Sequence, residues 1–311
     1  MPPQLGKTKT TPSKISVVLV TYQSAAEIKD CLESLLQASS LPLQILIADN
    51  ASTDGTQALL KNLLVDLKSE NRTFEFFFQT VNLGFTRALN TLLARADGDM
   101  TLFLNPDTSG WPVGGLDRLA QHLHDSPSIG VVAPQLLYED GSVQSSCRRF
   151  PKHRDLFFEM TGLSKLFSRS AFFNGWRMGD FDHLSARDVD QPQGACLLTR
   201  CEVIKRVGLW DEKFPMFFSD VDWCRRVWAA GWQIRFVPEV KVMHHQGVSV
   251  HKRRAAMIWT SHKSFYDYLC KYHRDWRGKI LNVVAGIALM VAAICRVVGY
   301  SLTPLTRRTE Q

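Results

Sequence analysis

No G-x-G-x-x-G follows the first apolar strand of this sequence, and no G-x-x-x-x-G-K-[ST] occurs anywhere. The first absence argues against a dinucleotide oxidoreductase and the second against a P-loop phosphotransferase. The seven cysteines are odd in number and scattered, with no C-x-x-C pair. Neither a disulfide framework nor a zinc knuckle follows from that spacing, so reduced thiols in a cytosolic protein are expected. The opening stretch MPPQLGKTKTTPSK has no apolar core and is no signal peptide, so the chain is expected to begin in the cytoplasm. An excess of either charge is also missing from most of the chain: residues 1–251 carry 26 Lys/Arg against 27 Asp/Glu.

What is present is an ordinary globular composition, 45% hydrophobic and 22% charged over 311 residues. That length can bury one large core or two modest ones. The net charge of +7 comes from the C-terminal end, where residues 252–311 hold eleven Lys/Arg against Asp267, Asp275 and Glu310. Such a tail suits nucleic acid or an anionic membrane surface. Within it lies ILNVVAGIALMVAAICRVVGYSL, residues 280–302. This run reaches the roughly 20 residues of a spanning helix only by including Asn282 and Arg296. A buried core helix would also explain it. The flank KYHRDWRGK, basic and aromatic, suits a headgroup layer better. The run is therefore read as membrane-associating, spanning or lying flat, and nucleic acid is set aside because the basic residues flank an apolar segment.

Along the body, strand-like and helix-like stretches alternate. ISVVLV (15–20) is followed by an i, i+3, i+4 stripe of Ile28, Cys31, Leu32, Leu35 and Leu36. LQILIA (43–48) ends at Asp49, and STDGT then supplies capping residues for a helix through QALLKNLLVDL. FEFFF (74–78), GFTRALNTLLARA and MTLFL (100–104) continue the alternation. The order predicts an α/β fold with a largely parallel sheet flanked by helices. Asp140-Gly141 predicts a hairpin, and residues 150–190 carry no clear pattern.

Ligands of open α/β sheets bind at the carboxyl ends of strands. Those ends carry Thr21-Tyr22, Asp49-Asn50 and Asn105-Pro106-Asp107. Asn-Pro-Asp-Thr is common in plain turns, but Asp107 is also placed to hold a divalent cation together with a diphosphate. Further on, Ser219 and Asp222 are spaced as a capping box at the start of a helix. Asp222 is read as structural. Asp220, delivered to the first helical turn by the apolar run FPMFF, is a candidate general base. IRFVPEVKVMHHQG is expected to form a strand, a Pro-marked turn and a second strand ending at His244-His245. A histidine there can complete a metal site with Asp107.

VVLVTYQS, IADNASTDGT, NLGFTRALN, FLNPDT, QGACLLTR and the long run from GLWDEKFPMFFSDVDW to VKVMHH resemble, in order, the family 2 inverting glycosyltransferases. The resemblance spans about residues 14–250 and is nearest to the bacterial rhamnosyltransferase-type branch. It implies the GT-A fold, a Rossmann-like nucleotide-diphospho-sugar transferase architecture. It implies that Thr21 and Asp49 grip nucleobase and ribose, and that Asn82 and Arg87 line the same pocket. Asn105 and Asp107 fall on the family's Asp-x-Asp motif; the first acid is here an amide, so Asp107 alone is expected to ligate Mg²⁺ or Mn²⁺. Asp220 falls on the catalytic base and His244 on a metal-ligating histidine. Ser219 stands where the family commonly has an acid, which bears on acceptor binding. The Gln-x-x-Arg-Trp of processive synthases is absent, which implies one sugar per encounter.

The implied reaction moves rhamnose or a hexose from dTDP-rhamnose or a UDP-hexose to a lipid-linked saccharide, at the cytoplasmic face of the plasma membrane. A sugar-nucleotide-binding scaffold without catalysis is the second reading. The expected organisation is a polar tail (1–13), a catalytic domain (14–250) and a basic, membrane-associating region (251–311). Every candidate residue precedes the tail, so donor binding is expected to survive its removal.

Overall fold

The computed structural model describes residues 14–67, 69–245 and 254–302. The expected tail at 1–13 and the junction at 250–251 lie outside the described residues. Strands β1 (Ile15–Thr21), β2 (Leu43–Asp49), β3 (Arg72–Phe78) and β4 (Met100–Leu104) alternate with helices α1 (Ile28–Gln37), α2 (Thr56–Leu67) and α3 (Phe85–Leu93). The four strands pair in parallel in the order β3-β2-β1-β4. β1 and β2 are buried along their whole length, so they read as continuous apolar runs and not as alternating ones. The stripe Ile28, Cys31, Leu32, Leu35, Leu36 is the buried face of α1.

Past β4 the sheet becomes mixed. Chain order runs through β5 (Thr108–Ser109), α4 (Gly115–Asp125), β6 (Ile129–Leu137), β7 (Cys147–Arg148), α5 (His153–Thr161) and α6 (Leu163–Leu166). It continues with β8 (Arg187–Asp188), β9 (Gln191–Pro192), β10 (Cys196–Arg200), α7 (Cys201–Val207), α8 (Ser219–Ala229) and β11 (Gln233–His244). Spatially the sheet extends as β4-β10-β6-β11-β5, with β8 against β11. One core face packs Val17, Leu19, Ile45 and Ile47 beneath α1 and α4. The other packs Val18, Val20, Leu46 and Ala48 with Leu89, Leu92, Trp210 and Trp223.

Three local expectations change or sharpen. The segment through Pro238 is a single strand, β11, whose register against β6 shifts between Val237 and Lys241. Proline has no N–H to donate, so it is accommodated by this bulge without ending the strand. The Asp140-Gly141 turn forms, with Tyr138 N–H donating to Ser142 O at 2.8 Å and Gly141 at φ 79°. Residues 150–190 contain α5, α6 and β8; Phe157 and Met160 of α5 are exposed, so the helix lacks a one-sided apolar stripe that a sequence pattern could reveal.

At the C-terminal end, α9 (Arg254–Tyr272) and α10 (Trp276–Leu302) pack on each other and on the body. A Cβ on Gly286 would lie 2.8 Å from the Tyr266 ring, so the two helices touch there. Phe265, Tyr268 and Leu269 join Ala285 and Leu289 of α10, and Phe214 and Val221 of the body, in a third apolar cluster. α10 buries Asn282, Ala285, Leu289 and Ala293 but leaves Ile280, Val283, Val284, Ile287, Val291 and Ile294 exposed. The run 280–302 is thus a helix with one face against protein and the other bare.

Candidate active site

β1 and β2 run in register to the pair Thr21–Asp49, and β4 ends opposite Leu19. Asn105-Pro106-Asp107 therefore leaves the sheet at the edge where Thr21 and Asp49 stand. Thr21 Oγ1 donates to Asp49 Oδ2 at 2.9 Å, while Ser52 N–H and Gln57 Nε2 donate to Oδ1 at 2.9 and 2.6 Å. Three donors leave this carboxylate one lone-pair direction for a further donor. Asn82 joins the same edge through Asn50, whose Nδ2 donates to Asn82 Oδ1 at 3.0 Å. Asn50 also accepts from Leu83 N–H at 2.7 Å. Arg87 is not part of this network: it lies exposed on α3, its Nε 3.1 Å from Glu212 Oε2. Cys31 lies beneath the loop, 3.6 Å from Asn105 O; burial pushes its thiol up to about 12, so it packs and does not react.

Asp107 stands one residue before β5, whose Thr108 and Ser109 pair antiparallel with His244 and Met243. His245 N–H donates to Asp107 O at 2.8 Å. This pairing brings His244 Nε2 to 3.5 Å from Asp107 Oδ1, and that oxygen is buried without a hydrogen-bond partner. His244 Nδ1 lies 3.1 Å from Gln144 Oε1. The Gln144 amide nitrogen donates to His244 O and Leu137 O at 2.7 and 3.2 Å, so its oxygen must accept and His244 Nδ1 must carry the proton. In the neutral ring Nε2 then turns a lone pair toward an unpartnered carboxylate oxygen. Two acceptors facing each other fit a shared cation, and Gln144 plays the orienting role that metal-binding histidines require. No group of three or more His, Cys, Asp or Glu able to hold a metal occurs among the described residues. Substrate oxygens and water would therefore complete the coordination.

Asp220 sits in the first turn of α8. The expected capping box is not formed: Ser219 Oγ donates back to Met216 O at 2.6 Å, and the N-cap is Phe218 at φ 66°. A left-handed non-glycine residue costs about 1–3 kcal/mol; here the Phe218 ring packs 4.9 Å from Phe265 and 5.5 Å from Tyr268 of α9. Asp222 is structural, as expected. It is fully buried, and meets Arg226 Nε at 2.9 Å, Tyr272 Oη at 2.7 Å and Lys271 Nζ at 2.5 Å. Asp220 is held differently. Its Oδ2 accepts from Gly194 N–H at 3.0 Å and Gln191 Nε2 at 2.9 Å, and its Oδ1 from Val221 N–H at 2.9 Å. Burial raises its pKa above the usual carboxylate value, and the three hydrogen bonds pull it partly back.

Gly194 is the residue that sequence reading passed over within QGACLLTR. A Cβ there would lie 3.0 Å from Asp220 Cβ and 3.4 Å from Oδ2, so the close N–H contact requires glycine. The next carbonyl, Ala195 O, accepts from Asn105 N–H at 2.8 Å. Asp220 and the Asn105–Asp107 loop are thus linked across two residues of the β9–β10 connection. Gly194→Ala is expected to push the Asp220 carboxylate aside by a few tenths of an ångström and to lower any Asp220-dependent turnover, by less than the roughly 10²-fold that a 1 Å misplacement costs. Steady-state kinetics beside a melting curve checks this; unchanged turnover would mean that the position of Asp220 is unimportant.

The Thr21–Asp49 edge, the facing Asp107–His244 pair and the Asp220 carboxylate make a candidate group-transfer site at the end of an α/β sheet. Residues 16–186 match the family model Glycosyl transferase family 2, more than half of the 311 residues, and the chain belongs to that family. Within it, the chain is similar to the N-acetylglucosaminyl-diphospho-decaprenol L-rhamnosyltransferase of Mycobacterium tuberculosis, with 30% identity over 274 residues, 84% of this chain and 86% of the relative. It is also similar to the O-antigen biosynthesis protein RfbC of Myxococcus xanthus, with 27% identity covering 85% of this chain and 19% of that one. Among solved structures, the mannosyltransferase PcManGT of Pyrobaculum calidifontis, in complex with GDP-Man and Mn²⁺, superposes with a TM-score of 0.58 at 18% identity. It covers 96% of this chain and 78% of that one, and the shared fold is GT-A. The protein is a glycosyltransferase with a mixed, mostly parallel sheet, of the rhamnosyltransferase-like branch.

Proposed function

We propose that this glycosyltransferase moves rhamnose from dTDP-rhamnose, or a hexose from a UDP-hexose, to a hydroxyl of a lipid-linked saccharide, inverting the anomeric carbon. The observation that carries the reading is Asp220, a carboxylate of raised pKa held by Gly194 and Gln191 beside the loop that bears Asp107. The acceptor hydroxyl gives its proton to Asp220 as its oxygen bonds to the anomeric carbon. The bond from that carbon to the diphosphate breaks on the opposite face, and the nucleoside diphosphate leaves. Thr21, Asp49 and Asn82 hold the nucleobase and ribose, with Asn50 bracing Asn82; Asn105 contributes from the loop. Arg87 would reach the nucleotide only by leaving Glu212. A divalent cation, Mg²⁺ or Mn²⁺, held by Asp107 and His244 would supply positive charge for the departing diphosphate.

The M. tuberculosis relative is named for a decaprenol-diphosphate carrier of N-acetylglucosamine, so that class of acceptor is tested first. The bare apolar face of α10 and the basic C-terminal residues support work at an anionic membrane surface, at its cytoplasmic side. Purified protein in detergent, given lipid-diphosphate-linked N-acetylglucosamine and each nucleotide sugar with and without Mn²⁺, should add one sugar with its anomeric configuration opposite to that of the donor. Donor binding without transfer or hydrolysis would support the scaffold reading in its place.

Asp107→Ala is expected to weaken donor binding only when metal is present, because the diphosphate charge then lacks compensation. Calorimetry with Mn²⁺ decides it; equal affinity in mutant and wild type removes Asp107 from the metal site. His244→Ala should show a milder form of the same defect. His245 is poorly placed to replace it, since its ring is engaged by Ser109 Oγ at 3.0 Å and Glu139 Oε1 at 2.6 Å.

A further inference from the structure

Beside α8 lies a cavity of about 610 Å³, with Lys152, Arg154, Trp176, Asp190, Arg225 and His273 in its walls. None of these residues belongs to the site described above. Lys152 and Arg225 form no ion pair among the described residues, and Arg154 approaches only Asp155, at 3.7 Å. The carboxylates are committed to backbone donors: Asp155 Oδ2 accepts from Lys152 N–H at 2.8 Å and Asp190 Oδ2 from Phe150 N–H at 2.9 Å. Arg225 is fixed by Tyr268 Oη at 2.7 Å and lies 4.0 Å over the Tyr272 ring. Two nitrogens in the walls, Trp176 Nε1 and His273 Nε2, are buried without a hydrogen-bond partner. An indole N–H can only donate, and a buried donor left unpaired is costly. Surplus cations and an unpaired donor ask for the same ligand, an anion rich in acceptor oxygens.

Its position selects among anions. Asp190 precedes Gln191, which donates to the Asp220 carboxylate. Arg225 follows Asp220 on α8 by about 7.5 Å along the axis, at 1.5 Å per residue. That is the scale of one sugar unit between a reacting hydroxyl and a phosphate on its other end. The opposite rim touches α10: His153 Nε2 lies 2.8 Å from Asn282 Oδ1, and Asn282 Nδ2 donates to His273 O at 3.0 Å. From Asn282 the exposed face of Ile280, Val283, Val284 and Ile287 continues outward. Exposed Phe157, Met160 and Phe172 lie on the α5 side, with Arg154 5.1 Å over the Phe172 ring.

We propose that this cavity binds the phosphate or diphosphate of the lipid-linked acceptor, with its sugar toward Asp220 and its lipid chain along the apolar face of α10. The inference deepens the proposed function and rests on it. The test uses the full chain carrying Lys152→Gln with Arg154→Gln, two exposed positions, and separately Trp176→Phe, which removes the N–H and keeps an aromatic ring. Calorimetry with farnesyl diphosphate should show binding at least about tenfold weaker in the double variant, from loss of two charged donors. Farnesol binding should be unchanged, and Trp176→Phe should give a smaller loss. With diphosphate-linked N-acetylglucosamine as acceptor, the double variant should raise KM with little change in kcat. An alkyl N-acetylglucosaminide without phosphate should react as with wild type. Wild-type farnesyl diphosphate affinity in the double variant overturns the proposal. So does loss of binding to phosphatidylglycerol vesicles without any loss of farnesyl diphosphate binding, which would assign the cations to bulk headgroups. Farnesyl diphosphate binding needs no turnover, so a chain that binds it through these residues yet transfers no sugar would sink the proposed function and leave the cavity assignment standing.

Discussion

Asp220→Asn is expected to lower kcat by about 10²- to 10⁴-fold, the range a positioned general base contributes, with donor affinity nearly unchanged. The amide keeps the shape of the carboxylate and can still accept from Gly194 and Gln191 through its oxygen. It loses the hydrogen bond from Val221 and the negative charge. Losing that hydrogen bond destabilises by about 1 kcal/mol, and removing a half-buried charge offsets part of it, so the melting temperature should move by only a few degrees. The pH profile adds an independent check. Burial raises the Asp220 pKa, and a base must be ionised, so activity is lost as pH falls through that raised value. The acid limb should therefore lie above the ordinary carboxylate range in wild type and vanish in the mutant. Turnover within a few-fold of wild type would exclude Asp220 as the base.

A chain cut after residue 251 is expected to lose its folded catalytic domain, the reverse of what charge and motif positions alone suggest. The reason is Asp222, fully buried in α8, two residues from Asp220. Two of its partners, Lys271 and Tyr272, come from α9. Arg226 stays with Asp222, but each lost hydrogen bond to the charged group costs about 1.5–3 kcal/mol, against a typical total stability of about 5–15 kcal/mol. The same cut uncovers Phe214 and Val221 and strips the packing from Phe218, whose left-handed backbone sets the start of α8. A cut after residue 275 keeps Lys271 and Tyr272 and removes α10 with residues 303–311. That chain should remain folded, bind donor and lose its affinity for anionic vesicles. Thermal melts and co-sedimentation of the two truncated chains and the full chain decide the matter. If the shorter one melts cooperatively near the full-length temperature and binds donor, α9 is no part of the catalytic fold.

The sequence alone determined what depends on neighbours along the chain. Short apolar runs marked β1, β2 and β4, and the 3.6-residue stripe marked α1, because local periodicity reports which faces are buried. Strand ends rich in Thr, Asp and Asn marked the candidate ligand-binding edge of the sheet. Asp107, Asp220 and His244 were legible as candidates for the same reason, each lying at an element boundary. The tertiary structure alone decided which of them meet. β5 pairing with β11 brings His244 to Asp107 across more than a hundred residues. Gly194 and Gln191 hold Asp220 from a separate strand connection, Gln144 fixes the His244 tautomer, and Arg87 turns away to Glu212. The continuity of β11 through Pro238 and the docking of α9 on α8 were hidden for a similar reason. A proline's tolerance depends on the strand beside it, and a basic segment reads as part of a membrane-associating tail until its lysine and tyrosine are seen to reach a buried aspartate. Hydrogen bonds and ion pairs between distant segments leave no period in the sequence, so only the folded chain reveals them.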